Sequence, residues 1–149
     1  MDAKILARLQ RQCVSREYCE KDIRAKALKA AEGDQDAAEE LVESLLQDGF
    51  VDNLRYATAF AREKSAISGW GPVKISYALT AKGISREDIS RALEETDAGA
   101  SAKRMEGVLA AKWRTLEGDP QGRLKLLRFG LSRGYTYDEI KDTVEKLTH

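Results

Sequence analysis

The chain has 149 residues, about the length of one domain, and its 25 Lys and Arg balance 25 Asp and Glu to a formal net charge of zero. That balance argues against a protein held on nucleic acid by bulk charge, although a local basic face is still allowed. Apolar residues make up 42% and charged residues 34%, with two prolines and twenty alanines, a helix-forming composition of a soluble globular protein.

The opening run Met1-Asp2-Ala3-Lys4-Ile5-Leu6-Ala7-Arg8 carries charges where a secretory signal needs an apolar stretch. No apolar run approaches the roughly 20 residues of a membrane helix. The chain is therefore expected in the cytoplasm, away from membranes. Cys13 and Cys19 are too few for a disulfide framework. On one helix they would lie far apart around the axis, so both read as small apolar packing residues.

Helix starts share one pattern, in which a cap residue is flanked by an apolar pair five positions apart that packs the incoming chain onto the first turn. Val14-Ser15 reaching Cys19 and Val51-Asp52 reaching Tyr56 fit this in its simpler form. Ile84-Ser85-Arg86-Glu87-Asp88-Ile89 adds an acidic partner for the cap, and Tyr135-Thr136-Tyr137-Asp138-Glu139-Ile140 completes a capping box. Asp97 is expected to open a further helix, while Gly33-Asp34 and Gly118-Asp119-Pro120 read as breaks.

Two of these starts lie within a longer repeat. Ile75, Leu79, Lys82-Gly83-Ile84-Ser85, Ile89 and Leu93 correspond, 51 residues later, to Leu126, Phe129, Arg133-Gly134-Tyr135-Thr136, Ile140 and Val144, with Phe129 one place out of register. Glycine after a base suits a left-handed helix end that turns into the next helix. A looser copy runs through Ile23, Leu28, Gly33, Leu41 and Leu45. The expected fold is all-α: three tandem three-helix repeats, about 3–50, 52–96 and 97–147, forming one elongated, curved, solenoid-like domain.

Catalytic constellations are missing. The single histidine, His149, is the last residue, and no glycine-rich phosphate loop, His-Glu-x-x-His or Cys-x-x-Cys occurs. A non-enzymatic binding protein without cofactor, metal or small-molecule substrate is expected. Charge is segregated: residues 32–53 hold eight acids and no base, residues 54–93 seven bases and three acids, and residues 101–134 eight bases and three acids. Such alternation steers association with a charged partner. The 79–89 segment also has the spacing of a DNA-reading helix-turn-helix. Its second helix, however, would bring Glu87, Asp88, Glu94 and Glu95 toward phosphates along with Arg86 and Arg91. A nucleic-acid module of that kind, or a general helical scaffold for proteins, is the alternative reading.

Gly49-Phe50-Val51-Asp52-Asn53-Leu54-Arg55-Tyr56-Ala57, then Gly71-Pro72-Val73-Lys74-Ile75, Lys82-Gly83-Ile84 and Ala92-Leu93, resemble the signature of the RecX family of recombinase regulators. Leu127-Arg128-Phe129 and Arg133-Gly134-Tyr135 look like that family's last repeat. The family usually has a second Asp where this chain has Asn53. The resemblance implies tandem three-helix repeats and binding to the RecA recombinase filament on single-stranded DNA, with restraint of its ATPase and strand exchange in recombination and repair. Some family members also bind DNA themselves, which makes single-stranded DNA a second candidate partner. On that reading the contact candidates are Arg55, Arg62, Lys64, Lys74 and Lys82 of the middle repeat and Arg123, Lys125 and Arg128 of the third. Trp70, Trp113, Tyr56 and Phe60 read as core.

Overall fold

A computed structural model describes residues 1–149 and contains nine α-helices and no strand. In chain order these are α1 (Ala3–Ser15), α2 (Glu20–Ala30), α3 (Gln35–Gln47), α4 (Asn53–Ala66), α5 (Pro72–Ala81), α6 (Arg86–Glu94), α7 (Ala98–Arg114), α8 (Gly122–Ser132) and α9 (Tyr137–Thr148). The all-α class agrees with the helical periodicity of the sequence. Both predicted breaks fall between helices.

Most starts are built as their sequences require. Asp34 accepts from Ala37 N at 3.1 Å, Asp52 from Arg55 N at 3.0 Å, Ser85 from Asp88 N at 3.1 Å and Asp97 from Ala100 N at 3.0 Å. Thr136 and Glu139 form a reciprocal capping box. Each such cap satisfies N–H groups that the helix itself cannot. The start expected at Val14-Ser15 is different. Helix α1 runs through both residues, leaving Val14 77% exposed, and α2 begins only after Cys19, which supplies no side-chain cap. The cap comes instead from another helix: Asn53 Oδ1 accepts from Glu20 N at 2.8 Å. A local pattern could not reveal a donor–acceptor pair 33 residues apart.

Packing divides the chain into two compact units, one of residues 1–59 with 79–92, the other of residues 60–78 with 93–149. In the first, Leu9, Ile23, Ala27, Leu41, Val42, Leu45 and Val51 form the centre of a core from α1, α2 and α3. Cys13 and Cys19 are buried free thiols there, and burial raises both above the usual thiol range, which keeps them protonated and unreactive. In the second unit, Met105, Leu109, Leu126, Tyr135, Ile140 and Val144 join α7, α8 and α9. The register slip of Phe129 has its cause here. The true counterpart of Leu79 is Gly130, where a Cβ would lie 2.6 Å from Ile140 Cδ1, so a side chain there would displace the end of Ile140. Phe129 is displaced to one side and is half-buried.

Candidate interaction surface

Each unit seats a base-glycine turn on the start of another helix. In the first unit the turn is Lys82-Gly83-Ile84 and the seat is the first turn of α2. Lys82 Nζ pairs with Asp22 at 2.8 Å, and Lys21 Nζ donates to Ala81 O at 3.0 Å, one of the carbonyls the helix end leaves open. Burial opposes the charge on Asp22, but the hydrogen bond and charge of Lys82 outweigh it and hold the carboxyl below its ordinary range. The same hydrogen bond raises Lys82.

In the second unit the turn is Arg133-Gly134-Tyr135 and the seat is the first turn of α5. Gly71 N donates to Arg133 O at 2.8 Å and Val73 N to Gly134 O at 3.0 Å, so free N–H groups of one helix meet free carbonyls of another. Proline at the first position of α5 needs no such partner. The guanidinium of Arg133 donates to Ser68 O and Gly69 O, fastening the loop before α5. Its role reaches beyond complementing the end of its own helix.

The predicted contact residues divide by what they touch. Arg55 pairs with Glu17 at 2.7 Å and donates to Gly49 O and Phe50 O, while Asp52, three residues before it, caps the helix. The Glu17 hydrogen bond makes Arg55 hold its proton more firmly than usual. Lys82 is bound to Asp22, and Lys125 to Asp119 at 2.6 Å. Lys64 and Lys74 place their ammonium groups 4.8 and 4.3 Å from the centre of the Trp70 ring. Phe60 meets that ring edge-on at 6.0 Å between centroids. Arg62, Arg123 and Arg128 extend from exposed helix positions without an ion-pair partner. Of the four aromatic residues expected in the core, Tyr56 is buried, whereas Phe60, Trp70 and Trp113 are only half-buried.

Exposed apolar side chains accompany these bases, and the charge pattern gave no sign of them. On α5, Val73 and Tyr77 are 57% and 80% exposed, beside Lys74. On α8, Leu124 and Leu131 are 45% and 49% exposed, and Arg128 lies between them on the same stripe at i, i+4, i+7 spacing. One signal was available. Val73, Ile75, Tyr77, Ala78 and Leu79 make α5 apolar all round, which in a short helix means burial on every side or a face kept for a partner. The paired exposed apolar and basic side chains suit docking to a protein surface that is both apolar and acidic.

The motifs that build the two turns are those of a known family. A family model described as RecX, second three-helix domain, matches residues 52–93. The regulatory protein RecX of Escherichia coli strain SE11 is 30% identical over 149 residues, covering 94% of this chain and 89% of that protein. The chain belongs to the RecX family. The regulatory protein RecX of Pseudomonas putida is 35% identical over 109 residues, covering 70% of this chain and 69% of its own length. Two solved structures share the fold. A crystal structure of regulatory protein RecX has a TM-score of 0.82 at 22% identity, covering 93% of this chain and 69% of that one. The crystal structure of RecX from Lactobacillus salivarius has a TM-score of 0.77 at 18% identity, covering 99% of both chains. In this RecX chain the family-like segments Gly71-Pro72-Val73 and Arg133-Gly134-Tyr135 are the two halves of one joint. No helix is long and apolar enough to cross a membrane.

Proposed function

We propose that this protein binds the RecA recombinase assembled on single-stranded DNA and restrains its ATP turnover and strand exchange, acting in the cytoplasm as a non-catalytic regulator. Membership of a family of regulatory proteins supports the regulatory role. The observation that carries the mode of action is the pairing of exposed apolar and basic side chains on α5 and α8, a composition suited to protein contact more than to naked phosphate. Lys74 with Val73 and Tyr77 forms one contact, and Arg128 with Leu124 and Leu131 the other. Lys64 shares the Trp70 ring with Lys74, and Arg62 and Arg123 are further exposed bases on α4 and α8. Arg55, Lys82 and Lys125 spend their charge on carboxylates of this chain and would contact a partner only by giving up those pairs.

The test is a titration into the cognate recombinase on single-stranded DNA, followed by ATP hydrolysis, with binding to bare DNA measured at the same salt. Inhibition at substoichiometric ratios with weak binding to bare DNA is expected. Charge reversal by Lys74→Glu and Arg128→Glu should weaken inhibition while helicity is unchanged. No effect of the wild-type protein at saturating ratios would remove this partner. Steeply salt-dependent binding to bare DNA would favour a nucleic-acid module instead.

A further inference from the structure

Beside the joint between α5 and the α8–α9 turn lies a cavity of about 400 Å³, wholly inside the second unit. Its walls are mainly apolar: Trp70, Pro72, Ile75, Leu93 and Met105. Ala98, Ala102 and Glu139, all exposed, mark its mouth. Two lining hydroxyls are out of place in such a wall. Tyr135 Oη and Ser101 Oγ are shielded from solvent and have no hydrogen-bond partner, and Tyr135 as a residue is only 5% exposed. The other lining hydroxyls are satisfied, Ser65 by Arg62 O and Thr96 by Leu93 O. Leaving a buried hydroxyl unpaired is costly, and buried polar groups in folded proteins nearly always find a partner.

We propose that this cavity is a binding site for a small neutral molecule with an apolar body and one hydrogen-bonding group, a hydroxyl or carbonyl, that answers Tyr135 and Ser101. The volume falls within the range of small-ligand pockets, and an apolar wall with a few convergent polar groups is their usual make-up. Neutrality follows from the lining. No Lys or Arg lines the cavity, and its one carboxylate, Glu139, already accepts from Thr136 N at 2.8 Å and would repel an anion at the mouth. Burial pushes the Tyr135 phenol above its ordinary range, so it remains a donor at neutral pH. Pro72 and Tyr135 belong both to the cavity wall and to the joint, so a bound molecule would brace that joint. The site is independent of which protein the chain regulates.

The probes are cyclohexanol and para-cresol, with cyclohexanecarboxylate as the charged counterpart. Binding is followed by nuclear magnetic resonance at the Met105 methyl and Trp70 indole N–H. Saturable shifts with the two neutral probes, none with the carboxylate, and slower hydrogen exchange at the Gly71 and Val73 amides are expected. Tyr135→Phe keeps the ring and removes only the unpaired hydroxyl, so it should fold and bind the probes roughly 2- to 10-fold more weakly. Ala102→Phe, which plugs the mouth of the cavity, should abolish binding. The proposal is overturned if neither probe shifts these resonances up to its solubility limit, if the carboxylate binds equally well, or if Tyr135→Phe binds as tightly as wild type. A fall in Tm on Tyr135→Phe without probe binding would assign the hydroxyls to ordered water and equally overturn it.

Discussion

The turns Lys82-Gly83-Ile84 and Arg133-Gly134-Tyr135 begin with the same sequence signal, a base, a glycine and an apolar residue, and both seat on the first turn of a helix. They are held in different ways. At Gly83 an added Cβ would meet only the Lys21 side chain, at 3.9 Å, and side-chain charges join the two elements. At Gly134 a Cβ would lie 2.6 Å from Lys74 N and 2.9 Å from its Cα, and main-chain hydrogen bonds join them. Both glycines have positive φ, +77° and +95°. Only the second also needs glycine for close approach. A shared motif therefore specifies the turn but not the strength of the joint.

Substitutions at the glycines break this comparison most severely. Gly134→Ala combines left-handed strain with a clash against rigid backbone and should cost at least about 3 kcal/mol, since neither side of the joint can yield cheaply. Thermal unfolding should show a fall in Tm of roughly 6–12 °C, with Gly71→Ala behaving alike because its Cβ would strike the Gly134 carbonyl. Gly83→Ala meets only the conformational penalty, about 1–2 kcal/mol. Equal losses at positions 83 and 134 would refute the distinction between the joints.

Smaller changes sharpen it. Thr136→Ala removes the cap that launches α9 from the tight turn and should cost about 1 kcal/mol by denaturant unfolding. Lys82→Ala should cost about 0.2–1 kcal/mol, because both partners of the pair are partly exposed and screened. The pair also has a pH signature. Asp22 is depressed in the fold, so its contribution is present above the ordinary carboxylate pKa of about 4 and fades as pH falls through its lower folded value. Lys82 is raised, so its share is present below about 10.5 and fades as pH rises through its higher folded value. Asp22→Asn should flatten the acid limb slightly, whereas variants of the second joint should leave that limb unchanged.

Much of the chain was legible because its information is local. Caps at Asp52, Ser85, Asp97 and Thr136 act within three residues, so the sequence around each is enough to place a helix start. The misplaced start at Val14-Ser15 shows the limit, since α2 takes its cap from Asn53 on another helix. Internally paired bases could not be told from unpaired ones by sequence. Whether Arg55 is spent on Glu17, or Arg128 stands between two exposed leucines, depends on which side each helix turns to its neighbours.

By itself the sequence determined the all-α class, the position of most helices, the base-glycine turns and the family. Tertiary structure alone decided which glycine is irreplaceable, which bases are tied to carboxylates of this chain, and that a hydroxyl of α7 and one of the α8–α9 turn line one cavity. The reason is range. A cap or a left-handed turn is settled by forces among adjacent residues, whereas a clash at Gly134 is set by Lys74, 60 positions away along the chain.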